Sequence, residues 1–545
     1  MQVINGVEHL KEKTTMKKAI KYLAMAALAM TIGACSSEDS ELAQQPVENN
    51  GMITITGKLA PKRALTRTLS QGQDGNQNNI IVAKWAEGET LAVVFLSGDS
   101  KRKMGKATIT AVDNTGAATF VCNVENGTNI TNNPKCDIIY PYKAACDDAT
   151  GVKTYPEFLG LQDGTLSNNL DVRVGKGVIS NIVGGVGEAT ATLTVTQQPE
   201  PQYAIFKFTL TSNSSYIQAS VFTVKGNGGL ITTVLPTSRY ELYVALPPDT
   251  KGGSNYTFMV SNGLKTYTKT MNNSASAIEK GVYYETPLEM GAGVDCKVDL
   301  ATLSIENGGT YTVKDYDVLT GTLNKNVKIS IPDGATVVLN NATINGTNSE
   351  SYAWAGLTCE GNATIILKGA NSVKGFYNAH PGIRVPDQST LTIQGSNYDE
   401  LEACSNGFGA GIGGGNKLHS GNIVIEGGKI TATGGAVAAG IGGGGNANCG
   451  NITITGGIID ATGGAGAVGI GSGSSTDNSS KCGNITIANT VSRVTAKTDA
   501  TQPAAYLLGA STGGSCGTIT IGGTVREQDS FLTAALSGSE YNYVP

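Results

Sequence analysis

The feature that most restricts this chain is a phrase that returns at nearly constant spacing through its second half. "GNIVIEGG" begins at Gly421, "GNITITGG" at Gly450, "GNITIANT" at Gly483 and "GTITIGGT" at Gly517, in steps of 29, 33 and 34 residues. A second phrase keeps the same beat: "GAGIGGG" from Gly409, "AAGIGGG" from Ala438 and "AVGIGSG" from Ala467. Fixed self-similarity of this kind marks a stack of like units, none of which can bury its apolar face alone. Weaker copies extend it backwards through "STLTIQG" (Ser389 to Gly395), "NATIILKG" (Asn362 to Gly369) and "ATVVLNN" (Ala335 to Asn341). About seven coils, each with short β-branched strands and glycine turns, predict a right-handed parallel β-helix over residues 300–545. Ile423/Ile425, Ile452/Ile454, Ile485/Ile487 and Ile519/Ile521 are then expected as aliphatic ladders facing inward.

Other columns follow from the same alignment. Cys449, Cys482 and Cys516 each precede the repeated glycine, with Ser420 in the corresponding place one coil earlier. A rung spacing of about 4.8 Å could bring such thiols close enough for a metal or a disulfide, but no histidine joins them and a straight column is not tetrahedral, so they read as stacked small side chains and not as a metal site or a disulfide. Asn422, Asn451 and Asn484 read as an amide ladder. The "GIGGG" phrases lack the Lys-Ser/Thr of a phosphate loop and the aspartate of calcium-binding repeats, so they are expected to be tight coil corners.

Polysaccharide hydrolases and lyases occur on β-helices, and such chemistry needs clustered carboxylates. Glu402 and Asp460 are predicted to share a column through Thr431, two rungs and about 9.6 Å apart. No Arg or His accompanies them, and His9, His380 and His419 are scattered. No catalytic residue, metal or cofactor is therefore assigned.

The first half has a different grammar. Apolar residues alternate in "MITITG" from Met52, "TLAVVF" from Thr90, "YAIFKFTLT" from Tyr203, "YELYVAL" from Tyr240 and "YTFMV" from Tyr256, with turn-forming clusters between them. The whole chain is thus expected to be all-β: two antiparallel β-sandwiches at 51–180 and 181–290, a linker at 291–299, then the β-helix. Cys122, Cys136 and Cys146 lie close enough in sequence for one bridge, with one thiol left over.

Four motifs in order carry a resemblance. "TRT" at Thr66 to Thr68 precedes "WAEGETLAV" at Trp85 to Val93; "IIYPY" at Ile138 to Tyr142 follows, then "ALPP" at Ala245 to Pro248 with "AIEKGVYYE" at Ala277 to Glu285. Together they resemble the fimbrillin family of surface and pilus proteins. The resemblance implies maturation by an Arg-specific cut, at Arg63 or Arg67 here, that frees an N-terminal strand for β-augmentation between subunits. A chain that continues for so long past these motifs is ill suited to donate a short terminal strand, which favours an anchor, tip or stand-alone adhesin over a shaft subunit. Trp85, Tyr140 and Tyr142 are expected to plug the core.

The chain opens with a basic stretch, Lys17, Lys18 and Lys21, and a short apolar run to Ala34, too short to span a bilayer. Met16 is the expected start of this signal. "TIGAC", ending at Cys35, resembles a lipobox, which implies cleavage and diacylation at Cys35. The acidic run Ser36 to Glu41 that follows resembles the surface-export tag of lipoproteins in some Gram-negative gut anaerobes, which implies an outer-membrane protein facing the exterior. Residues 36–50 read as a tether.

A net charge of −5 with no basic stripe excludes nucleic acid as a natural partner. The expected function is non-catalytic adhesion: glycan binding along the β-helix and assembly with fimbrial subunits through the sandwiches. The alternatives are a pilus anchor or tip without its own ligand, and a β-helix polysaccharide hydrolase or lyase. Trp354, Tyr377, His380, Arg384 and Asn406 break the plain repeat; they are the candidate ligand-binding residues, although capping the coil at its irregular end is the favoured reading of the same break.

Overall fold

The computed structural model describes residues 52–545 apart from 62–69, 74–78, 83, 97–101, 125–132, 149–150, 155–160, 167–169, 186–187, 227–230, 250–254, 273–277, 477–478, 500–505 and 532–539. Cys35, Arg63 and Arg67 lie outside the described residues, as does the side chain of Cys146. Among the described residues the regular structure is strand with a few 3-10 turns, and no helix is long and apolar enough to cross a membrane.

The first unit is a closed barrel where a sandwich was expected. Its strands run Met52–Leu59, Glu188–Pro201, Arg173–Gly185, Lys135–Tyr140, Thr90–Leu96, Arg102–Val112 and Ala118–Val124, and the last pairs back onto the first. Closure depends on Glu188–Pro201, which lies beyond the boundary expected at 180 and pairs parallel to Met52–Leu59, Ile53 facing Ala189 and Ile55 facing Ala191. Its neighbour Arg173–Gly185 has register shifts between Val174 and Lys176 and between Ser180 and Val183. Such bulges bend and twist a strand, which lets a sheet curl until its edges meet. Periodicity shows which face of a strand is buried but not whether its edges close.

Alternation fills the barrel: Ile53, Ile55, Val93, Phe95, Phe120 and Ile138 are all buried. Trp85 and Tyr140 meet edge to face at 5.3 Å, as core plugs and not as surface binders. Each also has its polar atom satisfied, Trp85 Nε1 donating to Ala60 O at 3.2 Å and Tyr140 Oη to Glu89 Oε1 at 2.6 Å. Cys122 and Cys136 are free thiols in the same core, and burial pushes both up to about 12.

Two sheets follow face to face. One contains Val221–Lys225, Ile231–Val234, Asn255–Ser261 and Lys265–Asn272; the other contains Ala204–Ser212, Glu241–Leu246 and Tyr283–Glu289. Phe208 reaches across to Phe222 and Phe258, with ring centroids 5.3 and 5.5 Å away. Barrel and sandwich share an apolar seam made by Val94, Ile139 and Val172 against Tyr203, Ile205 and Ala245.

From Lys297 onward every long ladder is parallel until the last turns. A first ladder passes through Ala335–Asn345, Ala363–Lys368, Thr390–Gln394, Asn422–Ile425, Ile452–Ile454, Ile485–Ile487 and Ile519–Ile521. A second passes through Ala370–Lys374, Glu400–Cys404, Lys429–Thr433, Ile458–Thr462 and Arg493–Lys497. A third ends Ile383–Arg384, Ile412–Gly413, Ile441–Gly442, Ile470–Gly471 and Leu508–Gly509. Ile423, Ile452, Ile485 and Ile519 stand in one register column and Ile425, Ile454, Ile487 and Ile521 in another. All eight are buried, and each is worth about 1.5–3 kcal/mol against exposure. Register thus turns one apolar phrase, repeated, into a continuous core.

Three further devices hold the stack. Asn422, Asn451 and Asn484 do form a ladder, but each Oδ1 accepts from the backbone N–H one rung on, Asn451 N at 2.9 Å, Asn484 N at 2.8 Å and Thr518 N at 2.9 Å. At the corner glycine of the second phrase, Gly442 has φ 128°, and a Cβ there would lie 2.0 Å from Gly471 O. The final coil is closed by antiparallel strands: Thr524–Arg526 against Ile519–Ile521, and Glu540–Tyr543 against Arg493–Lys497. A reversed strand covers the open edge of a parallel sheet.

The outer face of the first ladder is covered at its early rungs. Val318, Val338 and Ile366 pack on Val221 and Leu235 of the sandwich, and Lys225 adds an ion pair with Asp315 at 3.7 Å.

Candidate functional site

With the early rungs of the first ladder docked, the second offers an open wall along its length. Strand alternation sends Leu401, Ala403, Ile430, Ala432, Ile459 and Ala461 inward and leaves their neighbours outward. The outward residues form columns. Ser372, Glu402, Thr431 and Asp460 are in register through four strands, so the expected alignment of Glu402 with Asp460 through Thr431 is present. Beside it run Lys374, Cys404, Thr433, Thr462 and Lys497.

The charges on this wall are largely paired. Lys429 Nζ lies 2.9 Å from Glu400 Oε1, and Lys497 Nζ lies 3.0 Å from Asp460 Oδ2. Glu402 is exposed. An open groove of about 330 Å³ runs over Thr343, Ser372, Glu400, Glu402, Lys429 and Thr431. A second, of about 420 Å³, follows the adjoining turn over Ser405, Asn406, Thr433, Thr462, Gly463 and Asp499. Among the described residues neither lining contains an aromatic ring. What these surfaces present is a regular set of hydroxyls, carboxylates and ammonium groups at a rung spacing of about 4.8 Å.

The residues chosen from the sequence sit on one corner of the stack and are mostly committed internally. Trp354 packs between Tyr352 and Phe376, at 5.4 and 5.6 Å, and its buried indole N–H has no acceptor among the described residues. Asn406 donates its amide to Gly346 O at 3.2 Å and Gly375 O at 2.5 Å, while Arg384 donates to Val385 O and to His419 O at 2.9 Å. Tyr377 O accepts from His380 N, and His380 O accepts from Ser405 Oγ at 2.9 Å. Burial first, then the nearby Arg384, holds His380 below the usual imidazole range; burial likewise lowers Arg384. Of the five, Asn406 lines a groove.

No protein-family model matches the chain, and no curated protein sequence does. Solved structures give loose overlaps. One is a fimbrial protein from Bacteroides ovatus, 10% identical with a TM-score of 0.20, covering 45% of this chain and 50% of that one. A protein assigned to cell adhesion from Bacteroides fragilis is 10% identical at TM-score 0.25, covering 43% of this chain and 92% of its own. Another with the same assignment, from Bacteroides eggerthii, is 12% identical at TM-score 0.21, covering 46% and 89%. The chain spans half the length of the first of these. At such scores the overlap transfers no role, so function has to be argued from the wall itself.

Sequence reading overlooked several exposed aromatics. Tyr398 stands 92% exposed in the turn before Glu400, and Tyr216 and Tyr240 pair on the sandwich surface at 4.4 Å. None breaks a repeat or an alternation, so no pattern singles them out.

Proposed function

We propose that this chain is an exported surface lipoprotein, acylated at Cys35, whose C-terminal half is a right-handed parallel β-helix that acts without catalysis in adhesion. The observation that carries the reading is the second ladder: its polar columns stay in register over four coils and face outward, whereas on the first ladder the early outward residues Val338 and Ile366 pack on the sandwich. A polar wall of fixed rise suits a repeating polymer such as a glycan, held by many weak hydrogen bonds that add through avidity. Localisation at the outer face of the outer membrane follows from the lipobox and the acidic run after it.

Assembly with fimbrial subunits has its own support. Met52–Leu59 fills the gap between Glu188–Pro201 and Ala118–Val124. A cut at Arg63 or Arg67 would sever that strand from the chain behind it, and its departure would expose two unpaired edges for another subunit's strand.

A carbohydrate-cleaving role is poorly supported by the wall. Hydrolysis by two acids needs both free to act at about 5–9.5 Å, and Asp460 is tied to Lys497. The aromatic-free grooves favour a second reading, a pilus anchor or spacer with no ligand of its own. Residues 36–545 contain the whole compact unit Val47–Pro545 and are the material for the test. Glycan-array and mucin binding, with reducing-end release assayed in parallel, separates the three: saturable binding without product is the expected result. Binding with product would restore the enzyme, and silence on every surface would leave the anchor.

A further inference from the structure

Three thiols stack on adjacent coils at the corner between the third and first ladders. Cys449 pairs in parallel register with Cys482, and Cys482 with Cys516, while Ser420 holds the matching place before Cys449. Neighbouring strands lie about 4.8 Å apart, inside the Cα separation that a disulfide accepts. The sulfurs are already closer than that. Cys449 Sγ lies 2.8 Å from Cys482 Sγ, tighter than two unbonded sulfurs ordinarily sit and longer than the roughly 2.05 Å of a bond. The inner two thiols are each 6% exposed, whereas Cys516 is half-buried. No other described cysteine pair is placed so.

We propose that Cys449, Cys482 and Cys516 form a redox site at which a single disulfide, entered at Cys516 and passed inward, fastens adjacent coils together. The oxidant is a small disulfide of the glutathione class. Cys516, as thiolate, attacks one sulfur of the donor, and the donor's other half leaves as a thiol after taking up the proton that Cys516 gave up. Cys482, deprotonated in turn, attacks Cys516 Sγ and expels the second donor thiol, which forms Cys482–Cys516. Cys449 then attacks Cys482 Sγ, creating Cys449–Cys482 and returning Cys516 as a thiol with the proton from Cys449. Two protein thiols lose two electrons and two protons in all; the donor disulfide gains both and leaves as two thiols.

The charge states support the direction of travel. Cys449 Sγ donates to Cys482 Sγ; hydrogen bonding with Cys449 and Cys516, then burial, pushes Cys482 up, while its hydrogen bond with Cys482 holds Cys516 below the ordinary thiol range, so the more exposed sulfur is the nucleophile. Ser420 bounds the site on one side, because a hydroxyl cannot continue the exchange. The bond would join positions 33 residues apart in sequence, so oxidation fixes one coil on the next against shear. The site is independent of whatever the second ladder binds.

The test uses reduced, desalted residues 36–545, equilibrated with oxidised and reduced glutathione in varied ratio and then alkylated. Intact mass reports the loss of two hydrogens, and peptide mapping without reductant reports which sulfurs are joined. The expected product is Cys449–Cys482, with Cys482–Cys516 as its transient precursor; Cys516→Ser should slow formation about tenfold without changing the product. Retention of all thiols at every ratio would overturn the proposal, as would a bond mapped only to Cys122–Cys136 or to other pairs. The mapping in the unaltered chain decides by itself, so misfolding of a variant does not blunt it. As a second check, Cys482→Ala should abolish every crosslink in the column, and a surviving Cys449–Cys516 bond would contradict the relay.

Discussion

Glu402 and Asp460 stand in one outward column of the second ladder, one rung to either side of Thr431. Only one of them is engaged: Asp460 meets Lys497 at 3.0 Å while Glu402 faces solvent. Two acids in register look like a catalytic pair on paper, but an ion pair at one end converts the column into part of a polar surface. Both partners are about a third exposed, so the pair itself is a weak stabiliser. Asp460→Asn should lower unfolding free energy by less than about 1 kcal/mol in chemical denaturation. A loss of several kcal/mol would mean that the pair is far more desolvated than its exposure indicates.

Corner glycines should matter much more. Gly442 combines φ 128° with a Cβ position 2.0 Å from the carbonyl of Gly471. Gly442→Ala must strain the backbone and push two coils apart, at a cost of at least about 2 kcal/mol. A thermal midpoint unchanged from the parent would show that the corner relaxes freely.

The asparagine ladder predicts a smaller, directional effect. In Asn451→Ala the N–H of Asn484 loses its side-chain acceptor, while the backbone N–H of residue 451 keeps its bond to Asn422 Oδ1. The expected loss is about 1 kcal/mol. Hydrogen exchange should rise first at the Asn484 amide, and uniform exchange across the coil would count against the ladder as a local clasp.

His380 supplies a pH dependence whose sign can be worked out. Its folded-state value lies below the ordinary value of about 6.5 because burial and the adjacent Arg384 disfavour the cation. The unfolded chain then binds a proton that the native one refuses, so stability is full above the ordinary histidine value and falls as pH drops through it. Thermal midpoints measured from pH 7.5 down to 5.0 should decline less in His380→Gln than in the parent. Parallel declines would remove His380 from the account.

The stacked half was readable because its signal is repetition. Ile423, Ile452, Ile485 and Ile519 recur at one step, and parallel pairing requires only that like residues meet. For the same reason the Glu402–Thr431–Asp460 column is legible in the sequence alone. The barrel was harder, since its closure rests on Glu188–Pro201 meeting Met52–Leu59 across more than 130 residues of chain, and alternation carries no information about partners. The ligand candidates pose a different problem. Trp354, Arg384 and Asn406 break the repeat because they satisfy a corner of the stack, and a break in pattern looks the same whether it serves packing or binding.

The measurement that tests the binding wall most directly is a titration of residues 36–545 with the polymer that scores highest on the glycan array, comparing the parent with Thr431→Arg. Thr431 is exposed, central to its column and on the floor of the groove, so an arginine blocks the wall without touching the core. Affinity should fall by more than about tenfold, or 1.4 kcal/mol, with the thermal midpoint unchanged. Equal affinity in the two proteins would contradict the assignment of the second ladder as the binding surface.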